Sequence, residues 1–200
     1  MKTSIKLLIG LLLAGSLLAS CESDDENNES NNFLKVGDTE YDLSAGLLEN
    51  YGMDEDSTYL GYNTDLTLIS EGFSIEVDED GNWEMSGSGD AVYFEMFSSN
   101  GTTLDDHDYT FATTGAIGTF SYGLYALGLD VENDGDYEDF QFITSGTVSV
   151  STSGSEYTIE IDCYNEEGVK VTGYYKGTLQ LFDWTTVEPK SATLKSSQRK

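Results

Sequence analysis

The sequence predicts an all-β fold, and three observations predict it. Apolar side chains recur at every second residue in short runs, which is the period of a pleated strand with one buried face. Side chains that suit pleated surfaces are plentiful, with 13 Tyr, 9 Phe and 2 Trp in 200 residues. Clusters of Gly, Asp, Asn and Ser separate the runs, and the one Pro, Pro189, falls beyond the last of them, so no ladder loses a donor. Short strands with polar turns between them build an antiparallel β-sandwich or a flattened closed barrel.

Ahead of the first strand the chain carries a leader. Lys2 and Lys6 make a positive start, Leu7 to Leu18 is an apolar run, and Leu18-Ala19-Ser20 places small residues directly before Cys21. The run is shorter than the roughly 20 apolar residues a spanning helix needs. Residues 1–20 therefore read as a lipoprotein signal peptide, removed to leave Cys21 as an acylated, palmitate-type amino terminus that holds the rest against a membrane. From Glu22 to Asn32 every side chain is Glu, Ser, Asp or Asn. Nothing there repays the entropy of ordering, so residues 21–32 read as the lipidated Cys and an acidic, disordered tether.

A single all-β domain is read over residues 33–187. Phe33 to Val36 and Thr39 to Leu43 form two strands about the turn Gly37-Asp38. Leu47, Leu48 and Tyr51 would share a helical face, limited by Gly46 and Gly52 to about two turns. Strand periodicity then returns in Tyr62, Thr64, Leu66 and Leu68, in Phe73, Ile75 and Val77, and in Val92, Phe94 and Met96. The segment Asp78-Glu79-Asp80-Gly81-Asn82 reads as a hairpin tip. Thr147 to Val150, Tyr157 to Cys163 and Val169 to Leu181, joined by polar turns, form an antiparallel meander. Of the two architectures the sandwich is preferred, with a flattened calycin-like β-barrel as the alternative. Residues 188–200 read as a basic, frayed tail.

The formal net charge is −28, and all 37 acids follow Cys21. With Lys190, Lys195, Arg199 and Lys200 crowded into the tail, only Lys35, Lys170 and Lys176 face those acids within the domain. Such a surface repels phosphate backbones, so nucleic acid is excluded as a partner, and cations or neutral glycans suit it better. Lipidation consumes Cys21 and leaves Cys163 alone, so no intrachain disulfide forms. The alternating frame Tyr157, Ile159, Ile161, Cys163 points this thiol inward as a core residue.

The sharpest motif is an acidic loop with Asp130, Glu132, Asp134, Asp136 and Glu138 at alternate positions and Gly135 at the sixth. Alternate residues of such a loop can turn oxygens toward a Ca²⁺, and it resembles an EF-hand or dockerin-type loop; calcium is thus the one cofactor the sequence raises. Its departures are Gln141 at the twelfth position, where a bidentate acid belongs, and strand-like flanks. The bland reading is an acidic turn between strands.

The run Ser23-Asp24-Asp25-Glu26 after Cys21 resembles the export signal of surface lipoproteins of the Bacteroidota type. The stretch from Ser145 to Leu179 is similar to a carboxy-terminal hairpin module of uncharacterised lipoproteins of that kind. The resemblance implies an outer-membrane protein, lipid-anchored and facing the extracellular side, and carries no activity or site residues with it.

No catalytic constellation is recognisable. The one His, His107, lies among Asp105, Asp106 and Asp108, no Gly-x-Ser-x-Gly elbow accompanies it, and zinc would need more soft or imidazole ligands. Binding is the better reading: Trp83, Tyr122, Tyr125, Tyr174, Tyr175 and Trp184 offer flat faces for sugar rings, although core packing and cross-strand pairing claim such rings as well. The sequence thus predicts a surface-anchored binding or interaction module for a glycan or other extracellular ligand. The alternatives are a structural or accessory subunit of a surface assembly, contacting a surface protein, and a glycoside hydrolase-like enzyme whose paired acids the sequence cannot single out.

Overall fold

Alternation of apolar and polar side chains carries through to the backbone. The computed structural model describes residues 32–53, 59–78, 83–133 and 135–186. The leader, Cys21, the tether up to residue 31, Asp134, most of the tip at 79–82 and the basic tail lie outside the described residues. The strands are β1 (Phe33–Val36), β2 (Thr39–Asp42), β3 (Ala45–Gly52), β4 (Tyr62–Ile69), β5 (Phe73–Val77) and β6 (Trp83–Ser98). They continue as β7 (His107–Phe111), β8 (Thr119–Asp130), β9 (Asp139–Ser153), β10 (Glu156–Asn165), β11 (Lys170–Gly177) and β12 (Leu179–Asp183), followed by a single 3-10 turn at Trp184–Thr186.

Hydrogen bonding links the strands in the order β12-β3-β4-β6-β8-β7-β9-β10-β11-β1-β2, with β5 paired to β6. All pairs are antiparallel except β12 with β3 and β7 with β8. Leu34 of β1, Leu48 of β3, Phe94 of β6, Ile161 of β10 and Val171 of β11 belong to one buried cluster, so the sheet curls around a shared core. The result is a half-barrel. Two walls face each other as in a sandwich, yet the ladder runs on from one to the other as in a barrel, and no ladder joins β2 to β12 among the described residues.

One corner closes this arrangement. β11 and β12 lie far apart in the sheet order but are joined by Thr178 alone, whose carbonyl accepts a 2.9 Å hydrogen bond from the Tyr175 hydroxyl. Beneath the corner a Cβ on Gly46 would lie 2.4 Å from Leu179 Cδ2 and 2.9 Å from Leu68 Cδ2. Gly46 is therefore required for close approach, and the helical turns expected over residues 44–52 are instead strand β3. The physical reason is burial on both faces. Leu48 enters the main core, whereas Leu47 belongs to a second, smaller cluster with Ile69, Ala91 and Phe182, so no alternation marks the strand.

That second cluster lies under the β5–β6 hairpin. β6 is 16 residues long and pairs first with β5 and then with β4 and β8. The break between β4 and β5 is fastened by a 2.8 Å bond from the Asp90 N–H to Ser70 Oγ. There the backbones pass so closely that a Cβ on Gly87, at φ 91°, would sit 2.2 Å from the Gly72 carbonyl oxygen. Phe73, Ile75, Trp83 and Met85 of the hairpin pack against the cluster. Cys163 lies inside the main core at 0% exposure, as its frame predicts, and burial pushes its thiol up to about 12.

Candidate binding site

Strand register places three acids side by side on the outward face of β3, β4 and β6. Glu49 stands opposite Asp65, and Asp65 opposite Glu95, with Tyr122 of β8 next in the row. Directly opposed side chains have Cβ atoms about 4.5–5.5 Å apart, where like charges repel. Exposure does little to relieve this repulsion, since Glu49 and Asp65 are 7% and 8% exposed.

Hydrogen bonds do relieve it. Glu49 Oε1 accepts from the Tyr51 hydroxyl at 3.1 Å, from Trp83 Nε1 at 3.1 Å and from Trp184 Nε1 at 3.0 Å. One carboxylate thus ties β3 to the hairpin and to the 3-10 turn that follows β12. Glu95 accepts from Ser121 Oγ at 2.6 Å and from Asn63 Nδ2 at 3.2 Å. Asp65 Oδ2 accepts from the Tyr93 hydroxyl, whereas Asp65 Oδ1 and Asn63 Oδ1 are buried with no hydrogen-bond partner among the described residues. Burial, reinforced by the charges of Glu49 and Glu95 and opposed by the Tyr93 hydrogen bond, raises the Asp65 carboxyl to about 7.

Beside this row, at the ends of β3 and β12, opens a cleft of about 990 Å³. Tyr51, Tyr59, Tyr62, Thr102, Asp183 and Thr185 contribute to its lining. Its wall is preset. Asn50 Nδ2 donates to Asp183 Oδ1 at 3.0 Å, and a Cβ on Gly101 would lie 2.7 Å from Asn50 Oδ1, so the loop after β6 is seated against that amide. The Thr185 hydroxyl and N–H also donate to Asp183 Oδ1, at 2.6 and 3.0 Å, and hold its carboxyl below the usual carboxylate range. Tyr51 belongs to both features, lining the cleft and donating to Glu49.

The six rings singled out in the sequence divide. Trp83 and Trp184 come together on Glu49, and Tyr122, 41% exposed, stands at the end of the acid row. Tyr125 and Tyr175 are corrected to core residues. They are 1% and 3% exposed, with hydroxyls bonded to Asp139 and Asn165 and to Thr178, and cannot stack on a ligand. Tyr174 stands apart on the other wall, opposite Phe33 and Glu160. His107 packs edge-on to Tyr109 with its ring over Gly118, where a Cβ would lie 2.2 Å from His107 Nε2.

In the loop read for calcium, Asp130 Oδ1 accepts from the N–H groups of Glu132 and Asn133 at 3.1 and 3.2 Å, and Asp136 Oδ1 from that of Tyr137 at 3.1 Å. Glu138 packs its methylene over Gly128, where a Cβ would lie 2.6 Å from Glu138 Cγ. These acids serve the turn's own backbone or lie across it, and no group of three or more His, Cys, Asp or Glu among the described residues is arranged to hold a metal ion. Sequence reasoning missed Glu49, Asp65, Glu95 and the cleft, because only register and curl bring them together. No family model, no curated protein and no solved structure matches the chain.

Proposed function

We propose that this chain is a binding module, carried on the outer surface of an outer membrane by an acylated Cys21, and that a glycan is its ligand. The observation that carries the reading is the cleft, in which three tyrosines stand with a preset anionic acceptor, Asp183, and the hydroxyls of Thr102 and Thr185. Ring faces suit the C–H faces of sugars, and a few fixed polar groups suit their hydroxyls. The strongly negative surface favours an uncharged ligand over an anionic one.

The proposal involves no catalysis. Glycoside hydrolysis needs two carboxyl groups flanking an open sugar site, whereas the opposed pair Glu49 and Asp65 is covered by rings and strand. A second reading, an accessory subunit of a surface assembly, draws on β2 and β12, each of which has a neighbour on one side only among the described residues. A glycan array probed with the mature chain separates the two. Saturable binding to neutral oligosaccharides, weakened at least tenfold by Tyr62→Ala or Asp183→Ala, is the expected result. Absence of any glycan signal alongside a stably co-purifying surface protein would favour the subunit.

A further inference from the structure

The side chains of the cleft wall direct their donors inward and leave acceptors for a ligand. Asn50 Nδ2 donates to Asp183 Oδ1, and the Thr185 hydroxyl and N–H donate to the same oxygen, so Asp183 Oδ2 takes no donor among the described residues. Asn100 Nδ2 donates to Asp105 Oδ1 at 3.1 Å, and the Thr102 hydroxyl donates to Asn100 Oδ1 at 3.4 Å. The Tyr51 hydroxyl donates to Glu49. A ligand group that only donates matches such a wall better than one that must also accept. An ammonium has three donors and no acceptor, whereas a hydroxyl does both and an acetamide carbonyl only accepts.

Charge and rings point to the same group. Asp183 is the one acid in the lining among the described residues, and no base joins it there, since Lys35, Lys170 and Lys176 lie on β1 and β11. One carboxylate is too few for a calcium ion, which takes about six to eight oxygens, but it balances one ammonium. Tyrosine faces attract a cation within about 6 Å of the ring centre. Tyr51 and Tyr59 are 49% and 37% exposed, and the rings of Tyr59 and Tyr62 are held in place. Tyr59 packs 4.8 Å from Phe97 and lies over Gly115, where a Cβ would clash with it. Tyr62 lies against Gly101, where a Cβ would sit 2.9 Å from its Cδ1. A neutral sugar gains from the rings, whereas an amine-bearing sugar gains from the rings and the carboxylate together.

We propose that the cleft selects among glycans for a protonated amino group, seated between Asp183 and the tyrosine rings. The inference rests on the glycan reading and deepens it: neutral oligosaccharides bind, and amine-bearing ones bind more tightly. Its test is calorimetry on the full mature chain at pH 5.5 with a glucosamine tetrasaccharide and its N-acetylated counterpart of the same linkage, which differ only in ammonium against acetamide. The amine form is expected to bind at least tenfold more tightly. Asp183→Asn keeps an oxygen for Thr185 and Asn50 while removing the charge, and is expected to bring the two affinities within about twofold of each other. In the unmodified chain, raising NaCl from 20 to 500 mM should weaken the amine form several-fold and leave the N-acetylated form nearly unchanged. Binding of both sugars with equal affinity would overturn the ammonium preference and leave the glycan reading standing. Attraction to the acidic surface at large would persist in Asp183→Asn, so a preference retained there would overturn it as well. Binding of neither sugar, or of a lysine-bearing peptide in their place, would overturn it together with the glycan reading.

Discussion

Asp65 is a carboxyl group whose neighbours work against its charge. It is flanked in register by Glu49 and Glu95, accepts one hydrogen bond from Tyr93, and titrates near 7 instead of near 4. Because the raised value belongs to the folded state, the native protein holds a proton between about pH 4 and 7 that the unfolded chain has released. Stability therefore falls as pH rises through that window and levels off above it. At about 1.4 kcal/mol per unit the effect amounts to at most about 4 kcal/mol. Urea unfolding at pH 5 and pH 8 measures it: Asp65→Asn is expected to flatten the difference and to be the more stable protein at pH 8. An unchanged pH slope would contradict this account of the group. Glu49 is a structural anchor, because three donors converge on one of its oxygens. Glu49→Ala leaves those donors unpaired and is expected to cost roughly 2–4 kcal/mol. The chain's two tryptophans are both among them, so the emission maximum should shift to the red in the same variant.

Elements with one wet face were legible in the sequence, and those covered on both faces were not. β10 and β11 alternate visibly, and the meander from β9 to β11 follows the predicted turns. β3 lacked that signal because the hairpin and the 3-10 turn cover its outer side, burying Leu47 as well as Leu48. β6 was read only in its second half, since Gly87 and Gly89, which look like turn residues, sit where β5 crosses it. The acid row was hidden for a different reason: Glu49, Asp65 and Glu95 are separated by long stretches of sequence, and register alone unites them. The same crossing gives a prediction at this scale. Gly87→Ala forces a Cβ onto the Gly72 carbonyl at an unfavourable backbone angle. A loss of about 1–3 kcal/mol is expected, with hydrogen exchange accelerating in β5 ahead of β10.

Across the whole molecule acids lie on every part of the sheet, whereas the bases of the described residues lie on one part of it. Those bases lie on β1 and β11, where Lys170 pairs with Asp162 and Lys176 with Glu156, and the acid row lies on β3, β4 and β6. Asn32 is fastened to Lys176 through 2.7 and 3.3 Å hydrogen bonds, so the described chain enters the domain beside the end of β11. The proposed ligand-binding function is carried by the cleft at the far ends of β3 and β12, beside Asp183. The most direct test of that function uses the tryptophans as reporters, because both bond to Glu49, which Tyr51 connects to the cleft. Titration of the mature chain with neutral oligosaccharides, followed by tryptophan fluorescence, should give a saturable change in the unmodified protein that Tyr62→Ala abolishes. A flat response across the oligosaccharides, or an identical curve in Tyr62→Ala, would contradict it.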